Sequence, residues 1–245
     1  MKILIQRKGW AEWELGHNLS EIAPRNDNLW QADSLMTTLY YETVSNYEIV
    51  QPNESVAEYH VISDGVIVMK IKNGLLNALT LNRVDEYKHN SDRGHRFFGF
   101  TDMKDLETLN LPNLEKTDNG FLSQAYSLKH LSAPKWHLAK DDTLSVAPLA
   151  TLDVPSLQSV GANFMKNNEE LVSFKAPKLT KVGKNCLYNN NSLTELNLPK
   201  LHSVGSNFLY ANSVLESAKL PRLTTADNTC QPLVHEIAMA NARNR

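Results

Sequence analysis

Residues that could do chemistry are few in this sequence, and most of them are far apart. His89 and His95 share one polar stretch with the carboxylates of Asp85, Glu86 and Asp92. Such a mixture could hold a metal ion, but its spacing matches no metal-binding motif, so we expect a solvated loop. No phosphate-binding glycine loop, G-x-S-x-G or H-E-x-x-H pattern occurs. The sequence therefore predicts no catalytic residue, no metal site and no cofactor.

The two cysteines could form a disulfide, a metal pair or a nucleophile. Cys186 and Cys230 each lie nine residues after a proline, in equivalent positions of a repeat described below. Two stacked coils separate their Cα atoms by about 10 Å, whereas a disulfide needs less than about 7 Å. Neither has a His or Cys partner at metal-ligand spacing. We expect two free, buried thiols that pack as small apolar side chains.

A row of basic residues is the main candidate for a binding site. Each follows a proline of the repeat, where two other copies carry Asn113 and Ser156: Lys135, Lys178, Lys200 and Arg222. Neighbours in such a row lie about 5 Å apart, and like charges at that distance repel unless a partner neutralises them. Lys181 and Lys184 extend the row. It predicts a site for a protein with an acidic surface, and solubility is the alternative explanation. Nucleic acid is disfavoured, because no aromatic residues alternate with these charges.

An internal repeat must position these residues. Six prolines follow one another at intervals of 21 or 22 residues: Pro112, Pro134, Pro155, Pro177, Pro199 and Pro221. A Leu-x-x-Leu-x-Leu segment before each proline, as at Leu193, Leu196 and Leu198, predicts a short strand with its leucines inside. A second apolar pair, such as Leu201 and Val204, predicts a second strand. The period predicts a solenoid in which neighbouring copies form parallel sheets.

Further columns of the repeat carry structural predictions. One column holds residues that tolerate a left-handed backbone, which we expect there: Gly161, Gly183, Gly205, Asp118 and Asp227. In the second copy this column holds Lys140, and that copy is one residue short, so we expect an irregular loop. Two asparagine columns should satisfy backbone groups of neighbouring coils: Asn163, Asn185 and Asn207, then Asn168, Asn190 and Asn212. The pairs between them should be buried on the convex side: Phe164-Met165 and Phe208-Leu209.

The repeat resembles the BspA-type leucine-rich repeat family. The matching stretches read LxxLxLPxL followed by xxVGxNFLxxN, in six copies from Leu106 to Glu236. The resemblance implies a leucine-rich-repeat solenoid of parallel strands with short helical or irregular convex segments. It also implies a bacterial or protozoal surface or secreted protein that binds host or partner proteins. This chain departs from such proteins because its first residues do not read as a secretory signal.

The first part of the chain predicts a β-rich cap, which an open solenoid needs at each end. Runs rich in Val and Ile flank two hairpin signals, Asp64-Gly65 and Asn73-Gly74. They predict three strands, near residues 57–63, 66–72 and 75–81. A helix is predicted over residues 27–40.

The last of these strands also begins a degenerate first coil. From Leu76 to Leu106 is 30 residues, so the stretch from Asp85 to Phe100 predicts an insertion in this coil. Four of its residues could form a second contact with a partner, and packing beneath the loop is the alternative: Arg93, Arg96, Phe97 and Phe98. At the other end, Ile237 and Met239 predict a capping helix against the last coil. We predict three parts: a capping region with the degenerate coil (residues 1–105), a six-coil solenoid (106–236) and a C-terminal cap or tail (237–245).

Composition narrows the class of protein. The chain has 245 residues, of which 42% are hydrophobic and 21% charged, with a formal net charge of −2. That is ordinary globular composition and excludes disordered and disulfide-framework proteins. No run of about 20 apolar residues predicts a membrane span. We expect a cytoplasmic protein, or one secreted or injected by a non-classical route, and the oligomeric state stays open.

Three functions stay open at this point. The first is a non-enzymatic, protein-binding solenoid, acting as a bacterial effector or inhibitor on a protein partner. The second is a surface or adhesive structural protein exported by a non-classical route. The third is an enzyme with its site in the N-terminal region.

Overall fold

The computed structural model describes residues 2–6, 47–51, 58–63, 66–72, 75–80, 86–87 and 106–243. The strands and the helix of these residues are, in chain order, β1 (Lys2–Gln6), β2 (Tyr47–Gln51), β3 (Glu58–Ser63), β4 (Val66–Lys72), β5 (Leu75–Thr80), β6 (Glu86–Tyr87), β7 (Thr108–Asn110), β8 (Lys116–Thr117), β9 (His130–Ser132), β10 (Leu138–Ala139), β11 (Thr151–Asp153), β12 (Ser159–Val160), β13 (Ser173–Lys175), β14 (Lys181–Val182), β15 (Glu195–Asn197), β16 (Ser217–Lys219) and α1 (Pro232–Arg243). They fall into two compact units: β1–β5 with β7, and β6 with β8–β16 and α1. The helix predicted over residues 27–40 lies outside the described residues, and the predicted domain limits stay a prediction.

The N-terminal unit is an antiparallel meander. β1 pairs with β2, β2 with β3, β3 with β4 and β4 with β5, all in antiparallel register. Ser63 pairs with Val66 and Lys72 with Leu75, so only two residues connect each pair of strands. Two-residue connections are what the Asp-Gly and Asn-Gly signals predict. The three strands predicted in this region are therefore confirmed.

The register of two parallel pairs locates the degenerate coil. Within the N-terminal unit, β5 pairs in parallel with β7 and sets the buried Leu79 beside Leu109. Within the second unit, β6 pairs in parallel with β8 and sets Glu86 beside Lys116. Both offsets are 30 residues, against 22 in the later copies. The extra residues therefore lie after Tyr87 and before the first copy.

The second unit is a solenoid of parallel strands, which confirms the predicted fold class. The strands before the prolines pair in parallel where β11 meets β13 and where β15 meets β16. The strands after the prolines form one ladder in the order β14-β12-β10-β8-β6. In the fifth copy this second ladder is reduced to a single bridge, from Lys181 to Ser203. Each coil thus has a first strand, a corner, a second strand and an irregular third side.

The repeated apolar residues build the core. Leu193, Leu196 and Leu198 are at most 3% exposed, so the first strand turns its leucines inward as predicted. The pairs on the third side are also buried, as predicted: Phe164, Met165, Phe208 and Leu209. Trp136 is fully buried, and its ring centroid lies 5.7 Å from that of Phe121 in an edge-on contact. Burial of such rings supplies much of the packing energy of a core.

The third side of each coil has an alternating backbone. Every second residue has a positive φ, as at Asn163 (57°), Met165 (51°) and Asn167 (58°). The N–H of Asn163 donates to the carbonyl of Lys184 in the next coil at 2.8 Å, and that of Met165 to Thr143 in the previous coil at 3.0 Å. Left-handed residues therefore direct backbone donors alternately to the coils on both sides. These bonds compensate the cost of a left-handed conformation at residues such as Met165.

The left-handed position predicted for the glycine column is wrong. None of its members has a positive φ: Gly161, Gly183, Gly205, Asp118 and Asp227. A Cβ atom on Gly183 would lie 2.4 Å from the carbonyl carbon of Gly161, and one on Gly205 would lie 2.6 Å from that of Gly183. Glycine is needed there because successive coils touch at this column. The left-handed conformation falls two residues later, at asparagines such as Asn163.

The short second copy is less irregular than predicted. Asp142, Leu144 and Val146 have positive φ, so its third side follows the same alternation as the other copies. The missing residue falls at the corner that follows. There the N–H of Leu149 donates to Ala147, two residues back, whereas Leu171 donates to Asn168, three residues back. The prediction of an irregular loop is therefore wrong along the side and holds only for this corner.

The two asparagine columns bond to neighbouring coils, as predicted. The first column is half-buried: the Asn185 side chain donates to Asn163 Oδ1 at 2.8 Å, and the Asn207 side chain donates to Asn185 Oδ1 at 2.9 Å. The second column is buried: Asn190 Nδ2 donates to the carbonyl of Met165 at 3.0 Å, and Asn190 Oδ1 accepts the N–H of Asn168 at 3.1 Å. We name these the outer row (Asn163, Asn185, Asn207) and the inner row (Asn168, Asn190, Asn212).

The two cysteines are free and buried, as predicted. Burial raises the pKa of the Cys186 thiol far above its ordinary value. The pKa of Cys230 is also raised, chiefly by burial and further by the nearby carboxylate of Asp227. Since the thiolate is the reactive form, both side chains are poor nucleophiles at neutral pH.

Helix α1 follows the last coil, where a capping helix was predicted. It begins at Pro232, a favoured residue in the first turn of a helix. Its buried residues are Val234 and Ala238, while Met239 is 45% exposed. The helix is confirmed, and Ile237 is half-buried and borders one groove with Leu220 and Pro221 of the last coil. The inward face is formed by Val234 and Ala238, which lie four residues apart.

Candidate binding face

A tight turn at each proline positions the basic residues. The N–H of the residue two positions after the proline donates to the carbonyl just before it, as from Leu179 to Ala176 at 3.0 Å and from Leu201 to Leu198 at 3.2 Å. Proline is favoured at the second position of such a four-residue turn, because its φ is fixed. The basic residue occupies the third position, at the outside of the corner. The apolar residues at the two ends of each turn are buried, as Leu198 and Leu201 are, so the core fixes the turn in place.

The predicted basic residues are all exposed at this corner: Lys135, Lys178, Lys200 and Arg222. Three of them come from consecutive coils, the fourth to the sixth. Lys135 stands apart, because Ser156 lies between it and Lys178 in the row. Its Nζ donates to Asn113 Oδ1 of the first copy at 2.8 Å. The structure therefore splits the predicted row into a continuous part and an isolated lysine.

The continuous part extends onto the second strands. Lys181 and Lys184 are exposed and belong to the same coil as Lys178. Residues 177–184 and 199–206 contain no Asp or Glu, and the equivalent residues 221–228 contain one, Asp227. We name this surface the basic face, defined by Lys178, Lys181, Lys184, Lys200 and Arg222.

Within the described residues, the basic face has no internal neutralising partner. The ion pair found among the described residues lies elsewhere: it joins Lys140 Nζ to Asp118 at 3.0 Å, in the first two copies. Lys178, Lys200 and Arg222 form no ion pair with any described residue. Stacked coils place the backbone positions of these residues about 5 Å apart. Their charges therefore repel one another, and an acidic surface would relieve this repulsion.

The first strands present a different surface. Their outward side chains are small and of mixed character, such as Thr151, Asp153, Ser173 and Glu195. Acidic and basic residues alternate along this surface, so no single charge dominates it. It offers a polar contact in which water would be retained, and it lacks the uniform positive charge of the basic face.

The second predicted contact and the polar histidine stretch lie outside the described residues. This applies to the four residues of the insertion, Arg93, Arg96, Phe97 and Phe98, and to His89 and His95. In the part of the chain that the structure describes, no three His, Cys, Asp or Glu side chains converge as metal ligands.

One aromatic feature was not predicted. Tyr188 and Tyr210 occupy the same position in successive coils, and their rings stack with centroids 5.6 Å apart. Lys166 fills that position one coil earlier, with Nζ 5.4 Å from the centre of the Tyr188 ring. The signal was present as a repeat column on the third side. It was missed because the column is aromatic in only two copies.

The comparison with protein-family models agrees with the repeat assignment. Residues 141–230 match the family described as BspA type leucine rich repeat region, in six copies. Among solved structures, the chain is similar to a leucine rich cell surface protein from Faecalibacterium prausnitzii A2-165, with 12% identity and a TM-score of 0.34. The likeness covers 70% of this chain and 52% of that one, so the chain spans about half the length of that protein. No curated protein matches it.

The described helix does not meet the requirements of a membrane span. α1 has 12 residues, and a span needs about 20 apolar ones.

Proposed function

We propose that this chain is a non-enzymatic protein-binding solenoid whose basic face docks on an acidic surface of a partner protein. The observation that carries the proposal is the run of exposed cations on three consecutive coils, at Lys178, Lys200 and Arg222, which form no ion pair with any described residue. The BspA-type repeat supports it, since the family implies a protein-binding or surface repeat protein. We further propose that the chain acts on this partner as an effector or inhibitor.

The chemistry of the face favours recognition over catalysis. Its side chains are lysine and arginine, which supply charge and hydrogen-bond donors but no general base at neutral pH. Charges at the rim of an interface mainly set the association rate and its salt dependence. The partner is thus expected to be attracted from a distance, and its affinity to fall as salt screens the charges.

The experiment measures association with a defined acidic probe, polyglutamate, at several salt concentrations. The double variant Lys178→Glu with Lys200→Glu should associate about tenfold more slowly at low salt and show a flatter salt dependence. The matched control is Lys129→Glu with Lys166→Glu, which changes the net charge equally away from the basic face. It should keep a rate close to that of the wild type.

Two results would contradict the proposal. One is an unchanged rate in the double variant, which would leave the face as a solubility feature. The other is an equal loss in the charge-matched control, which would show that net charge alone drives association. Circular dichroism of each variant checks that the fold is retained.

A further inference from the structure

The first strands end in an edge that has lost its next coil. In earlier coils the residue before the proline donates its N–H to the following coil, from Val154 to Lys175 at 2.9 Å and from Leu198 to Lys219 at 3.1 Å. Leu220 occupies the same position in the last coil. Its N–H has no hydrogen-bond partner among the described residues, because β16 ends its sheet.

The same edge also leaves a backbone carbonyl without a donor and an inward-facing side chain only partly covered. The carbonyls of Ala150 and Thr194 each accept an N–H from the next coil, at 2.8 and 2.9 Å. Glu216 holds the equivalent place in the last coil and accepts no backbone donor of residues 106–243. Ala218 is half-buried, whereas its equivalent Leu196 is buried. A further strand would satisfy these groups and cover Ala218.

A groove gives access to this edge. It has a volume of 390 Å³ and is bordered by the end of the strand, by the corner after it and by α1: Asn197, Lys219, Leu220, Pro221, Ile237 and Asn241. The helix caps only part of the edge. Asn241 Nδ2 donates to the carbonyls of Leu220 and Leu223, at 2.8 and 2.7 Å. Leu220 itself is only 1% exposed, and its N–H keeps no bond to a described residue, so the groove is the way for a partner strand to reach it.

We propose that the edge of β16 binds an extended segment of a partner protein as an added parallel strand in the place of a next coil. Main-chain bonds would supply the affinity, and alternate side chains the specificity. The segment has apolar residues at every second position, facing Ala218, and a carboxylate beside the exposed Lys219. That lysine favours an acidic segment over a second copy, whose own edge carries the same charge. This site is separate from the basic face and does not depend on it.

The probe is a synthetic peptide with the sequence of residues 193–200, LTELNLPK. In the solenoid this segment pairs in parallel with β16, with Asn197 beside Lys219. Hydrogen exchange of the full-length protein should slow at the amide of Leu220 by about tenfold when the peptide saturates it. A second peptide with Asp at the position of Asn197 should bind about threefold tighter, and Lys219→Glu should reverse that preference.

Two methylated peptides provide a matched control for strand addition. Parallel strands bond through alternate residues, and in this solenoid the N–H of Ser173 and of Ser217 bonds back to the preceding coil. N-methylation of the peptide at the equivalent residue, Glu195, should abolish binding. N-methylation at the position of Leu196, whose N–H faces away from β16, should preserve it.

Three outcomes would overturn the proposal. The first is unchanged exchange at Leu220 with saturating peptide. The second is equal binding of the two methylated peptides, because contact by side chains alone would not distinguish them. The third is protection of Leu220 that rises with protein concentration in the absence of peptide, which would show that a second copy occupies the edge.

Discussion

The outer and inner asparagine rows use the same residue, at the same 22-residue spacing, for different purposes. In the outer row, side chains bond mainly to one another, as from Asn185 to Asn163, and the backbone has a positive φ of 56° at Asn185. In the inner row, side chains bond to the backbone of other coils, as from Asn190 to Met165. Asn190 has no exposed surface, while Asn185 is half-buried.

The difference shows that the environment determines what a repeated polar residue contributes. An inner-row asparagine replaces water for backbone groups that no solvent reaches, so its loss leaves them unsatisfied. An outer-row asparagine supports a left-handed backbone, and water can replace its side-chain bonds. The two rows should therefore differ in their effect on stability.

Removal of an inner-row side chain should have the largest effect. Asn190→Ala deletes the donor to Met165 and the acceptor of the Asn168 N–H, both buried. We expect a loss of about 2–4 kcal/mol in the free energy of unfolding, measured by urea denaturation. The exposed neighbour Asn191→Ala is the control and should cost much less. A cost below about 1 kcal/mol for Asn190→Ala would mean that the row is not a structural requirement.

An outer-row substitution should cost less and should depend on the replacement. Asn185→Ala loses the side-chain bonds and puts alanine, which tolerates a left-handed φ less well than asparagine, at this position; we expect a cost of about 1–2 kcal/mol. Asn185→Gly loses the same bonds but accepts the conformation freely. Thermal melting should therefore rank glycine above alanine. The reverse order would show that the left-handed backbone at this position does not determine the cost of the substitution.

The smallest effect on stability is expected at a buried hydroxyl, which lacks the hydrogen bonds that the inner-row side chains make. Thr117 is 2% exposed, and its Oγ1 has no hydrogen-bond partner among the residues that the structure describes. The same column holds Val160 and Val182 in later copies. Thr117→Val should stabilise the protein by up to about 1 kcal/mol, because it removes an unpaired polar atom without changing the shape. A lower melting temperature would indicate a partner for the hydroxyl in solution.

The sequence predicts the shape of each coil because the repeated pattern of apolar residues indicates which side chains are buried. Alternating leucines before each proline specify a strand with one face inside, and Leu196 and Leu198 are buried accordingly. The glycine column was misassigned for a physical reason. A sequence shows that a small residue is required but not whether φ or a neighbouring chain requires it, and at Gly183 it is the neighbour.

The candidate site was predictable only in part. A residue that follows a proline at a turn is expected to be exposed, and Lys178 and Lys200 are. Within the described residues these lysines form no ion pair. Whether they do depends on which side chains the other coils bring near them, and the sequence alone does not show which those are. The open edge at β16 also follows from where α1 leaves the last coil, because the repeat pattern alone continues through residues 215–221.

At the corner of Pro148, a change in chain length leaves the register of the strands unchanged. The second copy is one residue short there, yet Lys116 still aligns with Leu138, and Leu138 with Ser159. A change in length at this corner is absorbed before the next strand begins. An inserted loop or epitope at this corner would therefore alter the surface without shifting the ladder beneath it.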